Sequence, residues 1–168
     1  MSESQTQPVG EFNRVPLQLQ PRPPYRILVV DDDESLRQLN TEVLKQSGYA
    51  VDAADDGDVA WETLQLTSYD LLITDQKMAR VCGIELLKKL RAARMELPVI
   101  MVTGTMPEAE LALHPWLQPA AVLLKPYTIP ELLGVVRDVL SAGECPREQI
   151  NQLLTWRGQS SPAMALRL

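Results

Sequence analysis

The sequence predicts an α/β fold in which five parallel strands form one doubly wound sheet with helices on both faces. Short apolar runs alternate along the chain with segments of helical periodicity, which is the element order of a parallel sheet. Runs such as ILVV, LLIT and VIMV are continuously apolar and mostly β-branched, as expected for strands that helices cover on both faces. At 168 residues, the chain is the size of one domain with tails.

The predicted elements alternate without interruption from residue 26 to residue 142. The strands are predicted near 26–31, 50–54, 70–75, 98–103 and 121–125. The helices are predicted at about 34–47, 57–67, 83–92, 107–114 and 129–142. Five strands therefore alternate with five helices, and each helix can serve as a crossover between parallel strands.

Local signals mark the ends of three helices. Ser47 and Gly48 are expected to end the first helix, and Pro107 is expected in the first turn of the fourth. Thr128 and Glu131 have the spacing of a capping box for the fifth helix. These signals support the predicted boundaries independently of the apolar pattern.

The composition outlines the domains and excludes several classes of function. Residues 1–24, rich in Gln, Ser and Pro, predict a disordered leader; residues 25–142 form the domain, and 143–168 a tail with one short helix. The net charge of −6 and scattered basic residues argue against binding to nucleic acid. No apolar run is long enough for a membrane span, and the two cysteines suit a reducing compartment, so we expect a cytoplasmic protein.

Polar side chains lie where four of the predicted strands end, and ligands of doubly wound sheets bind at the carboxyl ends of the strands. These side chains are Asp31, Asp32 and Asp33 after the first strand, Asp75 after the third, Thr103 after the fourth and Lys125 after the fifth. Carboxylates at close range repel unless a cation offsets their charge. Mg²⁺ or Mn²⁺ prefers such oxygen ligands, so the sequence predicts a metal-dependent phosphoryl-transfer site.

Four motifs carry a resemblance to a known family. ILVVDDDESLRQL resembles the acidic pocket of the receiver domains of two-component response regulators, and LLITDQKMARVCGIELL resembles their phosphoacceptor strand and loop. VIMVTGT resembles the strand with the switch hydroxyl, and LLKPYT resembles the Lys-Pro strand. The motifs occur in the family's order and approximate spacing over residues 26–142. The resemblance implies a flavodoxin-like sheet with strand order 2-1-3-4-5, an order taken from the family and not from the residues.

The resemblance also assigns the metal site. It makes Asp75 the phosphoacceptor, Asp32 a direct ligand of Mg²⁺, and Asp31 a ligand through water. The backbone carbonyl of Lys77 is a further ligand by the same resemblance.

The remaining site residues and the partners follow from the same family. Thr103 would follow the phosphoryl group on activation, and Lys125 would bridge to it. The donor would be a sensor histidine kinase or a histidine phosphotransfer protein, and the chain would catalyse only its own phosphorylation and slow dephosphorylation. With no effector domain recognised in the sequence, output is expected by docking to a downstream target or by phosphorelay, and a homodimer is an alternative to a monomer.

The sequence departs from the family pattern at three places. Ala79 follows Met78 where the family usually has proline, and Val122 stands where an aromatic switch ring is usual. His114, Pro115 and the nearby Pro119 predict a short fourth helix with an irregular far end. That helix belongs to the family's usual docking surface, so the output of this chain is expected to differ from that of typical family members.

Three alternatives remain open from the residues alone. A phosphatase of the haloacid-dehalogenase kind would use Asp31 as nucleophile and Asp33 as acid, although it leaves Asp75 unexplained. A flavin-binding module of similar topology is disfavoured because the first loop, DDDES, repels a cofactor phosphate unless a metal ion intervenes. The third alternative is a receiver-like scaffold that takes no phosphate. It is favoured by Val122, which stands where the family usually has an aromatic residue.

Overall fold

The computed structural model describes residues 24–106 and 108–143, and these form one five-stranded parallel sheet between two layers of helices. The strands lie in the order β2-β1-β3-β4-β5 and comprise β1 (Arg26–Val30), β2 (Ala50–Ala54), β3 (Leu71–Asp75), β4 (Val99–Thr103) and β5 (Ala121–Leu124). All four neighbouring pairs are parallel. The predicted fold class and strand order are confirmed.

The helices are α1 (Glu34–Gln46), α2 (Gly57–Leu66), α3 (Gly83–Ala92), α4 (Glu108–Leu113) and α5 (Ile129–Ala142). Each predicted boundary of a strand or helix lies within one residue of the observed one. Pro107, expected in the first turn of α4, lies outside the described residues, as do residues 1–23 and 144–168. In the described part of the chain, no helix is long and apolar enough to cross a membrane.

Alternate residues of each strand enter two separate cores because the sheet is covered on both faces. Ile27 of β1 packs with Leu44 of α1 and Val136 of α5 on one face. Leu28, its neighbour, packs with residues of α2 and α3, including Leu87, on the other face. Each fully buried leucine or isoleucine contributes about 1.5–3 kcal/mol. The two cores hold the strand ends in register, and this register positions the site.

Local contacts and backbone conformation account for both ends of α1 and for the start of α5. The Asp33 side chain caps α1 by accepting hydrogen bonds from two backbone N–H groups of its first turn. Gly48 follows the last turn with φ +92°, a conformation that favours glycine. Thr128 and Glu131 form the predicted capping box of α5.

Helix α4 is short, as predicted. It has six residues and buries none of them, and a 3₁₀ turn at Pro115–Leu117 follows it. Proline restricts the backbone of the preceding residue, so the helix ends before His114. The His114 and Trp116 rings pack edge to face at 5.7 Å, and Leu117 is fully buried. This region is therefore anchored chiefly by Leu117 of the 3₁₀ turn, while Leu111 of α4 packs against the same core and is only partly buried.

A polar cluster lies at the amino-terminal end of the sheet, opposite the predicted site. Asp52 accepts hydrogen bonds from the Tyr69 hydroxyl at 2.8 Å and from the Arg26 guanidinium at 2.8 and 3.0 Å. The hydrogen bond from Tyr69, followed by those from Arg26, holds the pKa of Asp52 below its usual value. Burial and the Asp52 carboxylate raise the pKa of Tyr69 to about 12.

Tyr69→Phe is expected to raise the pKa of Asp52, because the variant lacks the largest stabilising contact of the carboxylate. A depressed pKa contributes stability above the unfolded-state pKa, and that stability is lost as the pH falls through the folded-state value. The variant should therefore melt at a lower temperature than wild type near neutral pH, with a smaller difference in acid. Carboxyl NMR titration of Asp52 and thermal melts measure both effects; an unchanged Asp52 pKa would refute the assignment.

Candidate functional site

The carboxyl ends of the strands bring an ammonium and two buried carboxylates together. Asp31 follows β1, Asp75 ends β3, and Lys125 follows β5. Lys125 Nζ lies 2.7 Å from Asp75 Oδ1 and 3.5 Å from Asp31 Oδ2. Asp31 and Asp75 are only 3% and 5% exposed, which shields both carboxylates from water. The structure thus joins three of the predicted site residues at one point.

A backbone N–H group orients each carboxylate. Asp33 N donates to Asp31 Oδ1 at 2.9 Å, and Lys77 N donates to Asp75 Oδ2 at 2.8 Å. In both residues, the other oxygen is the one that contacts Lys125. The two aspartates are therefore locked in matching orientations, each with one oxygen turned to a shared cation position.

The charges of the site are incompletely balanced. Burial raises the pKa of Asp31 above its usual value, against the hydrogen bond from Asp33 N and the charge of Lys125, both of which lower it. Burial would lower the pKa of Lys125, but its hydrogen bond to Asp75 and the charge of Asp31 outweigh that effect and raise it. One ammonium faces two carboxylates, so the pocket has a net negative charge that a further cation would offset.

The other predicted acidic residues differ in placement. Asp32 is exposed, next to the buried Asp31. The Asp33 side chain caps α1, accepting hydrogen bonds from Ser35 N and Leu36 N. The sequence contained the signal for this role, since an aspartate directly before a helical pattern is a typical N-cap. Its engagement there makes Asp33 a poor candidate for the acid of a phosphatase.

The Thr103 hydroxyl is held by its own loop. Thr103 Oγ1 donates to the carbonyl oxygen of Thr105 at 2.8 Å and accepts a hydrogen bond from Thr105 N at 3.2 Å. Thr103 ends β4 beside β3, and its side chain is buried. The predicted hydroxyl is therefore at the end of the neighbouring strand, where it is engaged with the backbone of its loop.

The loop from residue 76 to residue 82 is fixed by neighbours, although Ala79 replaces the proline usual in the family. Arg80 Nε lies 3.2 Å from Asp56 Oδ2, which joins the loop to the start of α2. A Cβ atom on Gly57 would lie 2.5 Å from the Val81 carbonyl oxygen. Glycine is therefore needed at position 57 for the loop to lie this close to the start of α2. Sequence reasoning missed these contacts because each joins the loop to the start of α2, more than 20 residues away along the chain, and no local pattern marks such a pair.

Helix α1 makes two further contacts that the sequence did not reveal. Arg37 Nη1 donates to the carbonyl oxygen of Asp31 at 2.7 Å. Asn40, buried on the same helix, is hydrogen-bonded to the Tyr127 hydroxyl at 2.9 Å. The pairing of Asn40 with Tyr127 carries no sequence signal, because the two residues are 87 positions apart along the chain.

Comparisons with known proteins agree with this geometry. The family model described as "Response regulator receiver domain" matches residues 27–137. The chain is 36% identical over 126 residues to the transcriptional regulatory protein CpxR of Escherichia coli (strain K12), an alignment covering 75% of this chain and 53% of CpxR. It is 33% identical over 120 residues to the response regulator receiver protein CpdR of Brucella abortus (strain 2308), covering 70% and 98%.

A solved structure is similar as well. The response regulator protein TrrA from Thermotoga maritima, in complex with Mg(2+)-BeF, aligns with a TM-score of 0.61 and 30% identity, covering 68% of this chain and 98% of TrrA. The chain spans about half the length of the first curated regulators that it matches. Fold, strand-end residues and family model converge: the chain belongs to the receiver domain family of two-component response regulators, a family of phosphorylation switches.

Proposed function

We propose that Asp75 accepts a phosphoryl group from the phosphohistidine of a sensor histidine kinase or a histidine phosphotransfer protein. The observation that carries this proposal is the buried Asp75 carboxylate, held between the Lys125 ammonium and the Lys77 N–H group beside Asp31. This arrangement leaves the carboxylate oriented and next to a positive charge, which a phosphoryl acceptor requires.

The oxygen donors around Asp75 fit a hard divalent cation, Mg²⁺ or Mn²⁺. Among residues 24–106 and 108–143, no three acidic, histidine or cysteine side chains converge on one point. Mg²⁺ does not need three converging side chains, because it keeps several waters and commonly takes one or two carboxylates with a phosphoryl oxygen. Asp31 and Asp75 already share one cation, the Lys125 ammonium. We assign as ligands both aspartates, Asp32 and the Lys77 carbonyl.

In the proposed transfer, one Asp75 oxygen attacks phosphorus and the bond from phosphorus to the donor imidazole breaks. The electron pair of that bond returns to the imidazole nitrogen. When bound, the divalent cation would add positive charge beside the phosphoryl oxygens. Lys125, already within 2.7 Å of the acceptor, would neutralise the charge on the same oxygens.

Thr103 contributes to the phosphorylated state in this proposal. Its hydroxyl exchanges the Thr105 carbonyl for a phosphoryl oxygen, so one hydrogen bond replaces another. A charged acceptor makes the new bond stronger than the old one. The loops after β3 and β4 thereby acquire two arrangements, and phosphorylation favours one of them.

Output would pass from these loops to a downstream target by docking, or onward by phosphorelay. The Arg80–Asp56 ion pair joins the loop after β3 to the start of α2. A change in the arrangement of this loop would therefore alter the surface near α2. Val122 of β5 replaces the usual aromatic ring, so we do not assign a rotating ring to this response.

The test is to offer a small acyl phosphate with Mg²⁺ to the purified chain and to measure its mass. We expect one phosphoryl increment in wild type and none in Asp75→Asn. The control is Asp58→Asn, which removes a half-exposed carboxylate of α2 and should leave the increment unchanged. No increment in wild type, or an increment that survives in Asp75→Asn, would contradict the proposal.

A further inference from the structure

The Asn40–Tyr127 pair joins α1 to the segment that follows β5. Asn40 Nδ2 lies 2.9 Å from Tyr127 Oη, and the same hydroxyl lies 3.3 Å from Asn40 Oδ1. Asn40 is 3% exposed, so its amide is withdrawn from water and depends on this partner. A buried amide engaged in this way fixes the distance between the two elements.

Tyr127 is two residues beyond Lys125, in a segment with few other anchors. Lys125 N donates to the Thr103 carbonyl at 2.8 Å, which fixes the segment where it leaves the sheet. Pro126 has no N–H group to donate, and the next anchor is the cap at Thr128. The Tyr127 hydroxyl therefore adds a tertiary anchor between the sheet and α5.

The Tyr127 ring packs against the core that contains Leu44 of α1, but the packing of this segment against the helix is incomplete. A cavity of about 420 Å³ lies between them and is lined by residues of both, including Leu39, Pro126 and Ile129. Leu39 and Ile129 are 48% and 44% exposed, so the apolar contact across the cavity is incomplete. The hydrogen bond thus limits a movement that loose packing would permit.

Helix α1 is also tied to the opposite side of the site, since Arg37 Nη1 donates to the Asp31 carbonyl. We propose that Asn40 and Tyr127 are positioning residues that set the approach of the Lys125 ammonium to Asp75. Helix α1 then braces the Asp31 loop and the Lys125 segment against each other. This inference rests on the proposed phosphorylation of Asp75.

The test compares phosphorylation rates from a small acyl phosphate at saturating donor and Mg²⁺. Tyr127→Phe keeps the ring and removes the hydroxyl, and we expect it to slow transfer by about 3-fold to 10-fold because small misplacements of reacting groups are costly. The matched control is Tyr49→Phe, a partly buried tyrosine of the same core, which should leave the rate unchanged.

Two further variants separate positioning from stability. Asn40→Leu combined with Tyr127→Phe leaves no buried amide without a partner, so its melting temperature should recover relative to Tyr127→Phe while transfer stays slow. In a Lys125→Met background, Tyr127→Phe should have no additional effect on the rate, because the residue through which it acts is gone.

Three results would overturn the inference while leaving the proposed function intact. They are a wild-type rate in Tyr127→Phe, a wild-type rate in the double variant once its stability recovers, and an equal slowing by Tyr127→Phe in the Lys125→Met background. If wild type itself gains no phosphoryl group, the proposed function fails and the inference fails with it.

Discussion

Lys125→Met is expected to slow phosphorylation of Asp75 from a small acyl phosphate by about 100-fold, the usual effect of removing a group that stabilises transition-state charge. Methionine keeps much of the side-chain volume and removes the ammonium that lies 2.7 Å from Asp75 Oδ1. The measurement is the rate at which the phosphoryl mass increment appears. A rate within a few-fold of wild type would remove Lys125 from the proposed site.

The same substitution should increase the stabilising effect of Mg²⁺. Without the ammonium, the Asp31 and Asp75 carboxylates share a buried pocket with no positive side chain between them. A bound divalent cation then offsets more repulsion, so added Mg²⁺ should raise the melting temperature more in the variant than in wild type. Lys89→Met is the matched control, because Lys89 pairs with Asp58 on the surface. Neither the rate nor the Mg²⁺ response should change in the control.

Gly83→Ala is expected to destabilise the fold by about 1–3 kcal/mol, the usual cost of overpacking. A Cβ atom there would lie 2.6 Å from the Asp75 carbonyl oxygen, and backbone atoms cannot yield without moving the start of α3 or the end of β3. Because the displaced group belongs to Asp75, the phosphorylation rate should fall as well. Chemical denaturation gives the free energy of unfolding.

Gly134→Ala is the matched control for this steric effect. Gly134 lies within α5, and an added Cβ atom there would meet nothing within 4 Å. Alanine loses less conformational entropy than glycine in a helix, so this variant should gain about 0.5–1 kcal/mol. Replacing glycine by alanine is thus predicted to lower the free energy of unfolding at position 83 and to raise it at position 134. Similar effects at both positions would show that the close approach at Gly83 is unimportant.

The prediction from sequence agrees best with the structure in the positions of the strands and helices. The apolar runs and cap signals located every strand and helix to within one residue in the described part of the chain. Patterns of this kind are local, so a single sequence contains them. The strand-end residues could be collected for a similar reason, because the carboxyl ends of parallel strands share one edge of the sheet.

The role of Asp33 shows where this reasoning stops. It follows β1 together with Asp31 and was listed among the polar residues at the strand ends, but its side chain caps α1. Consecutive residues after a strand point in different directions, and the turn into the helix decides which one faces the crevice. Asp31 is buried at the site as a result, whereas Asp32 remains exposed.

The sequence by itself determined the fold class, the order of elements and the residues that end the strands, because periodicity and caps are properties of neighbouring residues. Only the tertiary structure decided which side chains meet. Asn40 and Tyr127 are 87 residues apart, and Lys125 reaches two carboxylates on two other segments. Such contacts depend on differences of about 1 Å in loop path and helix placement, and no periodic pattern specifies them.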